Sequence, residues 1–322
     1  MSSPLIKIEK LRVETTQDHR TLVDGVTFEI QPGEALGVVG ESGSGKTLTA
    51  LSILGLLPRG VAAASGSIKF ENVDLITADQ ETRRSIRGNQ ISMIYQDPMT
   101  ALNPVMKLGK QLEEVLEAHD LDGKNAQEVV FNALKDVGIP EPERAMNSFP
   151  HEFSGGMRQR VMIAMALILS PKLLIADEPT TALDVTIQQQ ILALVSEQRR
   201  KSGMSMLWIT HDLGVVANLV DRVIVMYAGR IVEVGSVEQI FTNPQHPYTA
   251  GLLASLPKSV DKTRARLTAI PGVPPKPWMV ADSCPFAPRC DRATQECTNL
   301  TPILTKNEFT EAACFHRIGV CK

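Results

Sequence analysis

The chain has 322 residues, with 33 Lys and Arg against 36 Asp and Glu. Hydrophobic residues make up 43% of it, enough for a sizeable core, so bulk disorder is excluded and one large domain plus a smaller one is expected. The net charge of −3 argues against a dedicated nucleic-acid binder. A spanning helix needs roughly 20 apolar residues. The best stretch, Val161 to Leu169, is far shorter. The start, MSSPLIKIEK, lacks the apolar centre of a signal peptide. The expected location is therefore the cytosol, with any membrane role exerted through a partner.

The first third reads as strands. Ile6, Ile8 and Val13 mark a partly alternating segment, Val26 to Ile30 a second, and Gly66 to Phe70 a third. Together they predict a small antiparallel layer. Ala35 to Val39, Leu173 to Ala176 and Met206 to Ile209 are instead continuous apolar runs, as in strands buried on both faces. Each precedes a polar turn and a helix-like stretch, which predicts a parallel sheet with crossover helices. Between the first two runs, Leu108, Leu112, Val115 and Leu116 recur at helical spacing, and so do Val130, Leu134 and Val137. Gly138-Ile-Pro140 stops the second helix. Residues 97–165 are thus expected to form a helical subdomain. Val223 to Tyr227 and Ile231 to Val234 flank Ala228-Gly229, a predicted hairpin. Beyond Phe241, prolines crowd and periodicity fades, which places a domain boundary near 240. The expected domains are 1–240 and 241–322.

Gly40, Glu41, Ser42, Gly43, Ser44, Gly45, Lys46 and Thr47 fit GxxxxGK[ST] without a gap, between a buried apolar run and a helix-like stretch. Glycines let the backbone wrap a phosphate, and a helix N-terminus supplies oriented N–H donors. Lys46 would reach the β- and γ-phosphates, and Thr47 would ligate magnesium. Thr49 joins the nucleotide-binding candidates. A second element ends the apolar run 173–176 in Asp177 and Glu178. The first acid suits the magnesium shell and the second can polarise an attacking water.

Phe153-Ser154-Gly155-Gly156-Met157, followed by Arg158-Gln-Arg160, resembles the LSGGQ signature of the ATP-binding cassette (ABC) family. Ser154 and the N–H groups of Gly155 and Gly156 open a helix that can hold a γ-phosphate from outside. Other family marks follow in order. Gln96 matches the Q-loop and a magnesium contact, Ala182-Leu183-Asp184 the D-loop, and His211 the switch histidine. The resemblance covers about residues 5–240. It implies an α/β fold, a P-loop NTPase of ABC type, with a parallel core sheet, an antiparallel layer and a helical subdomain. It also implies two nucleotides sandwiched in a head-to-tail dimer. Two positions depart from the pattern. Met157 replaces Gln, as is common in peptide-importer ATPases. No Phe, Tyr or Trp precedes Phe28, where an aromatic would stack on adenine near Thr15; His19 is the available ring.

The tail narrows the branch. Asn243 to Thr249 and Ile270 to Pro275 resemble the C-terminal region of dipeptide-, oligopeptide- and nickel-importer ATPases. Cys284, Cys290, Cys297 and Cys314 follow at C-x5-C-x6-C-x16-C. Clustered cysteines in a reducing compartment point to metal before disulfide. The spacing lacks the knuckles of common zinc ribbons and misses the usual ferredoxin intervals. Spacing therefore leaves iron–sulfur, zinc and no metal open. The resemblance favours a 4Fe-4S cluster on these four thiolates, with zinc as the alternative. His316 is the nearest other ligand, and Cys321 is expected to be a free thiol.

The resemblance further implies an ATP-hydrolysing subunit of a peptide importer, peripheral on the cytoplasmic face of the bacterial inner membrane. Its partners would be a sibling ATPase, two transmembrane permease subunits and an extracytoplasmic binding protein. Glu178 would act as general base, with His211, Lys46, Gln96 and magnesium serving the γ-phosphate. Nickel chelates, glutathione-like peptides and small glycans are alternative cargoes. A non-transport ABC ATPase and a metal-sensing module with a degenerate ATPase are rival readings. The single cassette opposes the first, and intact Lys46, Asp177, Glu178 and His211 oppose the second.

Overall fold

The computed structural model describes residues 3–97, 101–121, 123, 125–181, 183–256, 269–280, 282–307 and 310–318. Pro98, Ala182 of the predicted D-loop and Cys321 lie outside them. In chain order the strands are β1 (Ile6–Thr15), β2 (Thr21–Ile30), β3 (Ala35–Val39), β4 (Val61–Phe70), β5 (Val73–Asp74), β6 (Ile91–Ile94), β7 (Leu173–Asp177), β8 (Ser205–Thr210), β9 (Arg222–Tyr227), β10 (Arg230–Ser236), β11 (Thr305–Lys306) and β12 (Glu311–Ala312). The chain divides into two compact units. The first holds residues 1–31, 35–77 and 208–322, the second 32–34 and 78–207, so the division falls within β8.

In the first unit, β1 pairs antiparallel with both β2 and β4, and the layer runs β2-β1-β4-β5. Ile6 and Ile8 are fully buried with Lys7 between them turned partly outward, the period-2 burial that the sequence carries. All five residues of β3 are buried. It lies parallel to β9, with Val38 opposite Ile224, which explains its unbroken apolar run. β9 turns through Ala228 (φ 45°) and Gly229 (φ 81°) into antiparallel β10, the predicted hairpin.

In the second unit β6 and β7 are parallel, with Met93 opposite Ile175. Strand β6 and the helix Gln80–Ile86 had no sequence expectation; four residues of strand give too short a pattern to read. The predicted helices are present as Leu108–Glu117 and Ala126–Asp136, burying Leu108, Leu112 and Leu116, and Val130 and Leu134. Gly138, at φ 72°, follows the second. Further helices span Pro142–Asn147, Gly155–Leu167 and Val185–Ser202.

The tail departs most from expectation. Short helices Val237–Thr242 and Pro247–Ala254 open it. Strand β12 then pairs with β10, placing Ala312 opposite Glu233, and β11 pairs with β12. The segment after 240 thus adds strands to the sheet that holds β3. Two-residue strands leave no periodicity to detect, so sequence alone reads this stretch as irregular.

Candidate active site

The first unit carries the phosphate loop. Strand β3 delivers Gly40, and the helix Lys46–Leu54 leaves the loop. Gly40 has φ 154°, and a Cβ there would lie 2.2 Å from the Met226 carbonyl oxygen, so only glycine fits. Gly45 is the helix N-cap at φ 98°, and no side chain caps that end. Its first N–H groups therefore suit an external acceptor, and the dipole there favours an anion. Lys46 is buried, and its Nζ donates to the carbonyls of Gly40 (2.8 Å) and Glu41 (3.1 Å). Ser44 is buried and its Oγ has no hydrogen-bond partner. An orphaned buried hydroxyl inside a turn of N–H groups fits a phosphate. Ser42, Gly43 and Thr47 are exposed, which leaves the Thr47 side chain accessible to a cation. Thr49 is turned inward and donates to the Gly45 carbonyl (2.9 Å). His211 follows β8 and is exposed; Asp212 beside it caps the next helix by accepting from Gly214 N–H (2.8 Å).

The site has partners in the tail that sequence reasoning missed. The Tyr248 hydroxyl accepts from the Glu41 N–H at 2.8 Å. Arg289 donates to both carboxylate oxygens of Glu41, at 2.6 and 3.1 Å. No local pattern announces contacts that join residues 207 and 248 positions apart. His19, the expected ring for the base, is largely exposed near Glu14. It lines a cleft of about 570 Å³ together with Arg20 and Trp278, and the Arg20 guanidinium sits 5.5 Å from the Trp278 ring centre. Trp278 is an aromatic that a search confined to the chain before Phe28 could not find.

The second unit carries the acids and the signature. Asp177 ends β7, buried. Glu178 follows at φ 46°, a left-handed conformation costly for a non-glycine residue. Thr181 Oγ1 donates to Glu178 Oε2 at 3.0 Å, and Gln96 Nε2 donates to the same oxygen at 3.5 Å. The structure thus brings Gln96 and Glu178 together across 82 positions. Ser154 caps the helix Gly155–Leu167 by accepting from the Met157 N–H at 3.3 Å. A Cβ on Gly155 would meet nothing within 4 Å, so this helix end is open. A Cβ on Gly156 would lie 2.8 Å from Ile187 Cγ2. Asp184 caps the next helix by accepting from Ile187 N–H at 2.9 Å.

The four expected cysteine ligands are all free thiols, with no disulfide among them. Burial raises the pKa of Cys284 and Cys290, and pushes Cys314 up to about 11. The charges of Cys284, Cys290 and Cys297 add to the rise at Cys314. Among the described residues, however, no three His, Cys, Asp or Glu side chains stand as a metal-holding group. The four thiols thus supply the donor chemistry expected of a metal site without being gathered into one among the described residues. Thr294 Oγ1 holds His316 Nε2 at 2.8 Å.

Residues 23–181 match the family model "ABC transporter", and residues 232–297 match "Oligopeptide/dipeptide transporter, C-terminal region". The chain is 49% identical over 306 residues to the oligopeptide transport ATP-binding protein OppD of Haemophilus influenzae, covering 94% of each chain. It is 50% identical over 302 residues to the dipeptide transport ATP-binding protein DppD of Bacillus subtilis, covering 92% of this chain and 90% of that protein. A solved dimer of the ATP-binding cassette MJ0796, in a post-hydrolysis state with ADP and Pi, superimposes with a TM-score of 0.64 at 25% identity. That match covers 72% of this chain and 98% of the cassette.

Proposed function

Since the chain belongs to the ABC transporter ATP-binding proteins of the oligopeptide/dipeptide type, an ATPase by family, we propose that it energises uptake of dipeptides or oligopeptides. The carrying observation is that both family models match in order, cassette first and peptide-transporter C-terminal region second. In the proposed assembly two transmembrane permease subunits form the path, an extracytoplasmic protein delivers the peptide, and a sibling ATPase completes the dimer. The chain sits on the cytoplasmic face of the membrane. No helix among the described residues is long and apolar enough to cross it. We take residues 1–240 as the ATPase domain and 241–322 as the importer-type extension.

The roles follow from the chemistry of each residue. Backbone N–H groups of the loop after Glu41 and the hydroxyl of Ser44 receive phosphate oxygens, and Lys46 neutralises charge on the β- and γ-phosphates. Thr47, Gln96 and Asp177 supply oxygens for magnesium, which when bound offsets charge on the transferring group. Glu178 takes the proton of the attacking water. Thr181 and Gln96 orient its carboxylate. His211 donates toward the γ-phosphate. Ser154, Gly155 and Gly156 present an open helix end to the partner's nucleotide, and Asp184 stands at the same dimer face. For the base, His19 and Trp278 offer flat ring surfaces in one cleft. The test is uptake of a labelled dipeptide in cells whose chromosomal copy is replaced by Glu178→Gln. Loss of peptide uptake with normal uptake of the free amino acids is expected. Undiminished peptide uptake overturns the cargo.

The thiols carry a second proposal, that Cys284, Cys290, Cys297 and Cys314 hold a 4Fe-4S cluster, with zinc as the rival metal. Its support is the donor set: four free thiols, of which Cys284, Cys290 and Cys297 lie near enough to Cys314 to raise its pKa. A metal would staple a segment otherwise short of apolar core. Protein purified without oxygen is expected to contain about four irons and four sulfides per chain. One zinc moves the site to the rival metal, and an absence of metal overturns it.

A further inference from the structure

Glu41 is an acid placed inside a loop that must accept a polyanion, and the first unit deals with it by means of the tail. Arg289 is 3% exposed at its side chain. Its Nη1 donates to Glu41 Oε2 (2.6 Å) and the Tyr227 hydroxyl (3.2 Å). Its Nη2 donates to Glu41 Oε1 (3.1 Å) and the Ile270 carbonyl (3.3 Å). Its Nε donates to the Pro271 carbonyl (2.8 Å). A guanidinium has five N–H donors, and this arrangement engages all of them. The bidentate fork fixes direction as well as charge. Meanwhile the Glu41 N–H is held by Tyr248 and its carbonyl by Lys46. The rings of Tyr227, Tyr248 and Phe286 pack with centroids 4.5 to 5.4 Å apart, which locks the tail residues that make these contacts.

We infer that Arg289 is a positioning residue of the nucleotide site: from the C-terminal segment it cancels the Glu41 charge and fixes the phosphate loop in its receiving shape. This rests on the nucleotide reading above. The physical reason is preorganisation. Donors aimed at an anion act at full strength only if no ordering remains to be done when the anion arrives. An uncancelled carboxylate in the loop would also repel the phosphates. One unit charge at roughly 10 Å and an effective dielectric of about 20 changes an affinity about tenfold.

The experiment measures MgADP affinity by calorimetry, and KM and kcat for ATP, on the full-length chain. Arg289→Ala is expected to weaken MgADP about tenfold and to raise KM more than it lowers kcat. The Glu41→Gln/Arg289→Ala pair is expected to recover most of that affinity, because the offending charge is gone. Arg289→Lys is expected to fall between, keeping the charge but losing the fork. A merely structural ion pair would not be rescued by Glu41→Gln. If Arg289→Ala does not fold, Tyr248→Phe keeps the ring and removes only the acceptor for the Glu41 N–H; weaker MgADP binding is again expected. Wild-type binding with unchanged affinity in Arg289→Ala, or in Tyr248→Phe where that variant stands in, overturns the inference alone. Failure of the wild-type chain to bind MgADP overturns the nucleotide reading itself.

Discussion

The two units hold their functional residues by different means. In the second, the contacts are mostly local. Ser154 binds Met157, Asp184 binds Ile187 and Thr181 binds Glu178, each three positions apart. In the first, the phosphate loop is an unbroken run of residues, yet Glu41 is held by Tyr248 and Arg289, more than 200 positions away. A local cap forms as soon as its helix does, because loop closure costs little over three residues. The Arg289 fork exists only after the tail has packed. The lesson is that one unit has its site built into its secondary structure, while the other borrows rigidity from the far end of the chain.

Three measurements test that difference. The largest effect belongs to Glu178→Gln, which keeps size and most hydrogen bonding but cannot accept the proton. Turnover is expected to fall by about 10²- to 10⁴-fold with nucleotide binding retained. Steady-state ATPase rates beside MgATP titrations check it, and near-normal hydrolysis would remove Glu178 as the base. Next is Gly156→Val. Its Cβ would press on Ile187 Cγ2 at 2.8 Å, so a loss of about 1–3 kcal/mol is expected, read by denaturant unfolding. An unchanged midpoint would show that the signature helix moves aside freely, and would break the claim that local packing fixes it.

The third test concerns His246 in the tail. Burial pushes its pKa down to about 3 from 6.5, and its Nδ1 accepts from the Tyr248 N–H at 3.0 Å. Below pH 6.5 the unfolded chain takes up a proton that the folded one refuses, so stability falls as pH drops from 6.5 towards 3. The slope is about 1.4 kcal/mol per pH unit. Glu233, whose carboxylate accepts from the Gln245 and His246 N–H groups, acts in the opposite sense. Burial raises its pKa, so its contribution declines as pH rises above 4.5. Comparing wild type with His246→Asn isolates the histidine. The variant is expected to lose that slope, and a slope that survives would place the acid sensitivity elsewhere.

Much of the fold was readable because its signals are short-range. The antiparallel layer, the β9–β10 hairpin and the helices at 108 and 126 all announce themselves through period, turn residues or stops. The phosphate loop, Asp177, Glu178, Gln96 and the signature were named from consecutive residues and their order. What escaped detection was short or distant. Strand β6 has four residues and β12 two. Trp278 reaches the cleft of His19 from the opposite end of the sequence. The cysteines were legible as a set, but spacing along a chain says nothing of whether four sulfurs point at one centre.

By itself, the sequence determined which residues could hold phosphate, magnesium and an attacking water, because the N–H, hydroxyl, amine and carboxylate groups needed are encoded residue by residue and in a fixed order. Only the tertiary structure decided that an acid could sit in the phosphate loop. A half-buried carboxylate is tolerable there when a guanidinium meets it, and that meeting depends on how Pro271, Tyr227 and Phe286 pack around Arg289. Packing of that kind is a property of the folded chain as a whole, and no window of neighbouring residues contains it.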